Sequence, residues 1–155
     1  MRRRLALVAL SALALGAIGG CGGDAVTEEG GPAALVVYSR EGGIRFESSK
    51  LVVAADGIAT LRSEGCTARF PVEDGLRRRL QEQVEKTDLA SIAGDYPAAT
   101  GAADTITEAI AIGPDEVRIE DLTTASQKVQ RQISPLVVLL TEVLAAGESH
   151  RNAAC

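Results

Sequence analysis

The chain has 155 residues, of which 46% are apolar and 3% aromatic, and it carries 16 Lys and Arg, 21 Asp and Glu and a single His. So acidic and aromatic-poor a chain lacks the cationic surface that phosphate contacts require, which argues against nucleic acid as a partner. The length suits one domain built on one core.

Residues 1–20 read as an export signal. Arg2, Arg3 and Arg4 form a positive start, Leu5 to Ile18 an apolar run, and Gly19 and Gly20 a small-residue cut site. The run is too short and too Gly-rich at its end for a spanning helix, which needs about 20 apolar residues. Ile18-Gly19-Gly20-Cys21 resembles a bacterial lipobox. That resemblance implies a diacylglyceryl group on the Cys21 thiol, further acylation such as palmitate, and Cys21 as the mature N-terminus. Cleavage before an unmodified Cys21 is the plainer alternative. Two or more acyl chains, at about 0.8 kcal/mol per buried methylene, hold a protein stably at a cell membrane, facing the extracytoplasmic side. Without the leader, 13 Lys and Arg remain against 21 Asp and Glu, a formal charge of −8. With Cys21 assigned to lipid, Cys66 and Cys155 remain. Outside the cytosol a disulfide is the expected fate of such a pair, with free thiols or pairing between molecules as the alternatives.

Residues 21–33 read as the lipidated cysteine and a flexible tether, rich in Gly and acids and without apolar period. A single α+β domain is expected over 34–147. Leu35 to Ser39 is a β-type run, broken by Arg40-Glu41-Gly42-Gly43. Ile44 to Ala54 returns, with a change of phase at Ser48-Ser49 that suggests a bulge. Asp56-Gly57 marks a hairpin, Ile58 to Arg62 a third strand, Glu64-Gly65 a turn, and Cys66 to Val72 a fourth strand, completing an antiparallel meander of about four strands. An amphipathic helix follows, capped by Asp74, with Leu76, Leu80 and Val84 as its buried stripe. Arg77-Arg78-Arg79 fan around that helix as a solvated face. Gly94 to Ala103 reads as a long loop. In it Tyr96, beside Pro97, is either an exposed contact anchor or a ring folded back on the core.

Ile106, Glu108, Ile110 and Ile112 alternate as a strand, Gly113-Pro114-Asp115 turns, and Val117 and Ile119 return, forming a second hairpin. Leu122 to Ile133 is ambiguous. Ser134-Pro135 reads as a helix start, Leu136 to Ala146 as an apolar helix and Gly147 as its end, which leaves 148–155 as a polar tail. The apolar helix is expected in the core, with a partner-binding face as the alternative.

Chemistry-bearing motifs are sparse. His150 lies in the polar tail, where nothing rigid orients it as a base. One His and two distant Cys fall short of a zinc site, and no phosphate-cradling glycine motif occurs. Neighbouring acids such as Asp115-Glu116 and Glu120-Asp121 sit at turns and strand ends. The expectation is a protein that is not an enzyme and holds no cofactor and no metal.

Gly42-Gly43-Ile44, Asp56-Gly57, Leu76/Leu80/Val84 with Asp88-Leu89, Tyr96-Pro97, Asp104, Val117 to Asp121 and Pro135-Leu136-Val137 occur in an order that resembles the emfourin-like proteins. It also resembles many bacterial lipoproteins. The resemblance covers roughly Leu35 to Ala146 and implies a small α+β fold. In the founding type it implies inhibition of thermolysin-like metalloproteases, so a secreted protease is the partner class it suggests. Arg40, Glu41, Gly42, Gly43, Tyr96 and Pro97 are the candidate contact residues. The alternative is a structural envelope protein that packs against a neighbour through its C-terminal apolar helix.

Overall fold

The computed structural model describes residues 33–44, 47–98 and 105–154. Cys21, Cys155, the signal, most of the tether and part of the Gly94 to Ala103 stretch lie outside these residues. An α+β fold is observed, as expected. One mixed sheet carries seven strands in the order β4-β3-β2-β1-β6-β7-β5, and its helices cover one face.

The meander comprises β1 (Ala34–Gly42), β2 (Glu47–Ala54), β3 (Ile58–Ser63) and β4 (Cys66–Pro71). Each strand places alternate residues inward, so Val36, Tyr38, Leu51, Val53, Ala59, Leu61, Ala68 and Phe70 are all buried. Asp56 Oδ1 accepts from Ile58 N at 2.9 Å and closes the β2–β3 turn. Two expectations need correction. Arg40 and Glu41 do not break the first strand; they pair with Ser49 and Ser48 inside it. The irregularity is not at Ser48-Ser49, where register is continuous, but between Ala34 and Val36. The phase change in the sequence arises because Ile44 belongs to the turn rather than to the return strand.

Helix α1 (Asp74–Lys86) buries Leu76, Leu80 and Val84. Its N-cap is Glu73 rather than Asp74: the Glu73 carboxylate accepts from Gly75 N at 2.9 Å and Leu76 N at 3.0 Å. Those two donors hold the Glu73 carboxyl below the usual range. A 3-10 turn at Leu89–Ile92 follows. Gly94–Tyr96, expected as loop, is a short strand, β5, running parallel to β7. The second hairpin, β6 (Ile106–Ile112) and β7 (Asp115–Ile119), joins the first sheet through β1–β6 pairing, with Tyr38 opposite Ile110.

Helix α2 (Gln127–Ala154) departs furthest from expectation. It runs as one helix through Leu122 to Ile133's latter half, through Pro135, through Gly147 and into the segment read as a polar tail. Ser126, not Ser134, stands at its start: Ser126 O accepts from Gln130 N at 3.0 Å. Pro135 costs about 3 kcal/mol inside a helix. Burial of Val129, Ile133, Leu136, Leu139, Leu140, Val143 and Leu144, at about 1.5–3 kcal/mol each, outweighs that penalty. Gly147 does not end the helix. A Cβ there would lie 2.7 Å from the Phe70 ring and 3.0 Å from Leu61 Cδ2, so the glycine lets α2 approach β3 and β4. Beyond it, His150 stacks on Phe70 at 5.1 Å, and Arg151 Nη1 donates to Ser63 Oγ at 3.2 Å and Glu64 Oε2 at 3.1 Å. By length and composition α2 could cross a membrane, but its apolar stripe packs on the sheet and α1.

Candidate functional site

Strand register gathers separate loops at one end of the sheet. Ser63, Ser49, Arg40, Glu108, Ile119 and Tyr96 form one continuous row across six strands. Just beyond that row lie the β1–β2 turn, Glu64-Gly65, Pro97-Ala98, Thr105-Ile106 and Glu120. The two segments singled out in sequence, Arg40 to Gly43 and the Tyr96-Pro97 stretch, are therefore at the same end although more than fifty residues separate them.

The β1–β2 tip lies at this end. Gly42 adopts φ 110°, and a Cβ on it would stand 2.5 Å from Thr105 O. Only glycine fits that backbone and that approach. Gly43 N donates to Thr105 O at 3.2 Å and ties the tip to the start of β6. Ile44 in the turn is 87% exposed, and Ile106 beside Gly43 is 39% exposed. Exposed apolar side chains of this kind suit insertion into a partner's pocket.

Behind the tip is a polar brace. Tyr38 is buried, and its hydroxyl donates to Glu108 Oε1 at 2.8 Å. Arg40 Nε lies 3.4 Å from the same oxygen. Burial first, then the Glu108 carboxylate, push the Tyr38 phenol well above its ordinary value, so it remains a donor. Arg40 Nε is buried and faces Glu108, while the side chain as a whole stays 38% exposed. Glu41 is exposed on the opposite, uncovered face.

Of the two alternatives for Tyr96, the ring is folded back. It packs on the core, and its hydroxyl donates to Ile92 O at 2.9 Å. Pro97 stays exposed, and Glu120 Oε2 accepts from Ala98 N at 2.9 Å. Glu108 and Ile44 were not singled out by sequence reasoning. Glu108 was legible only as a charge at an inward position of an alternating strand, and Ile44 was read as strand rather than turn. A shallow depression of about 360 Å³ at the same end is lined by Ser48, Lys50, Arg62, Ser63, Glu64 and Gly65. Among the described residues no three His, Cys, Asp or Glu side chains are grouped to hold a metal ion. Cys66, at the start of β4, is disulfide-bonded.

Fold and site together describe an α+β domain with a helix-covered sheet and exposed apolar side chains, Ile44 and Ile106, at one end of it. No protein-family model and no curated protein matches the chain.

Proposed function

We propose that this chain is a lipid-anchored extracytoplasmic lipoprotein, acylated at Cys21, whose domain is a non-enzymatic module that binds a protein partner through the loop end of its sheet. The observation that carries the reading is Ile44, almost fully exposed in the β1–β2 turn next to Gly43, whose N–H is bonded to Thr105 O. Three further features support it. The chain enters β1 at Ala34, at the other end of the strand from the tip, as a tethered binder requires. The leader carries a lipobox-like Ile18 to Cys21. A disulfide at Cys66 suits an oxidising compartment. Its partner on this reading is Cys155, since Ala154 ends a helix whose Arg151 already reaches Ser63 and Glu64. Closing a loop of about 90 residues this way contributes about 4–5 kcal/mol in the chain-entropy account.

In its sharper form the partner is a secreted thermolysin-like metalloprotease. The test is titration of such a protease with the full chain in mild detergent, comparing wild type with Ile44→Asp. Slowed substrate cleavage that the substitution abolishes supports the inhibitor reading; no slowing at large molar excess ends it. Mass spectrometry of the N-terminal peptide tests the anchor separately: an acylated Cys21 is expected, and an unmodified Cys21 or an intact Arg2-Arg3-Arg4 end counts against it. Packing of an envelope neighbour through α2 is the weaker alternative, because among the described residues Val138 is the only exposed large apolar residue of α2.

A further inference from the structure

Helices cover one face of the sheet; the other face, among the described residues, carries no covering element. Its central row runs Arg69–Thr60–Val52–Val37–Ala111–Glu116, each member opposite the next in register. Read from either end, the row is a cation or anion, a small side chain and a valine, then the mirror sequence ending in the opposite charge. On the wider face Lys50, Arg62 and Arg69 lie on β2 to β4, with Glu64 of the β3–β4 turn beside Lys50 and Arg62, while Glu41, Asp95, Glu116 and Glu120 lie around Arg118 on the other flank. Arg118 donates to Glu116 Oε1.

We propose that this face pairs with the same face of a second copy, about a two-fold axis that runs parallel to the strands and passes between Val37 and Val52. Such a rotation exchanges the two flanks. Arg69 of each copy then meets Glu116 of the other, Thr60 meets Ala111, and the valines meet at the axis, as an isologous interface requires. An axis perpendicular to the strands is disfavoured, because it stacks Arg69 on Arg69 and Glu116 on Glu116. Aligned sheets pack about 10 Å apart with their strands within about 30°, so the long Arg69 side chain spans the gap. Six strands spaced by about 4.8 Å and about five residues long give roughly 1,000 Å² for the two copies together. That is the lower end of specific interfaces, and the expected affinity is about micromolar. The same rotation keeps both tips pointing one way and both Ala34 entry points the other.

The test is sedimentation equilibrium of the full chain in density-matched mild detergent, with Arg69→Glu, Glu116→Arg and the double exchange. Both positions are exposed, and circular dichroism verifies that each variant keeps its fold. Wild type is expected to dimerise with a dissociation constant of about 1–50 µM, weakening with added salt. Each single reversal is expected to weaken the dimer at least tenfold, and the double exchange to restore it to within about threefold, since each pair occurs twice. A monomer throughout, or a dimer indifferent to both reversals, overturns the proposal. So does failure of the double exchange to recover what the singles lose.

Discussion

Replacing Gly147 with alanine sets two effects of opposite sign against each other. A glycine inside a helix is less favourable than alanine by about 1 kcal/mol, so the substitution gains that amount if nothing obstructs it. The new methyl would stand 2.7 Å from Cε1 and Cζ of Phe70 and 3.0 Å from Leu61 Cδ2. Phe70 and Leu61 are 2% and 0% exposed, and the His150 ring lies stacked on Phe70. Neither neighbour can give way without moving others, and overpacking of this kind costs about 1–3 kcal/mol. The obstruction wins, and Gly147→Ala is expected to destabilise by about 1 kcal/mol. Urea unfolding of the oxidised protein, followed by circular dichroism, measures it. Phe70→Leu supplies the control, because it removes the obstructing ring edge. In that background Gly147→Ala is expected to be neutral or stabilising, a coupling of about 1–2 kcal/mol. Stabilisation by Gly147→Ala alone, or additivity of the two changes, would refute the close-approach reasoning.

Other expectations follow from single contacts. Tyr38→Phe removes the hydroxyl that Glu108 accepts and is expected to cost about 1.5–3 kcal/mol, towards the low end because Arg40 remains; a loss under about 0.5 kcal/mol would deny the brace a role. Pro135→Ala restores a backbone donor within α2 and is expected to stabilise by up to about 3 kcal/mol, whereas a loss would show that a helix start at Pro135 matters after all. The carboxyls of Glu73, held down by Gly75 and Leu76 N–H, and of Asp121, held down by the Thr123 hydroxyl and N–H, are both depressed in the folded state. Their contribution is therefore present above the ordinary carboxylate values and lost as pH falls through the folded ones. Unfolding midpoints should decline below about pH 4.5, and Glu73→Gln should flatten that decline; an unchanged acid limb would contradict the cap.

What the sequence disclosed was local. Alternation over β3 and β4 and over Ile106 to Ile112, with Asp56-Gly57 and Glu64-Gly65 between apolar runs, placed the hairpins correctly. The stripe Leu76, Leu80, Val84 did the same for α1. Non-local facts were not legible. Pairing of β1 with β6 joins two hairpins into one sheet, and no spacing announces it. Gly94 to Tyr96 is too short for any period to emerge. Pro135 and Gly147 gave ordinary boundary signals that tertiary packing overrode, one because flanking apolar burial exceeds the penalty and one because Phe70 needs the space. At the loop end, Gly42-Gly43 was legible as a turn, but the exposure of Ile44 depends on where β2 begins, and the Tyr38–Glu108 contact depends on register across 70 residues.

The central claim is that a tethered domain meets a protein partner with its Ile44 tip. A photo-crosslinking residue at position 44, compared in intact cells with one at Arg78 on the exposed side of α1, addresses it most directly. A discrete extracytoplasmic adduct at position 44, absent at position 78 and recovered in the membrane fraction, is the predicted result. Equal labelling at both positions, or a chain recovered in the cell interior with its leader uncut, would contradict the account.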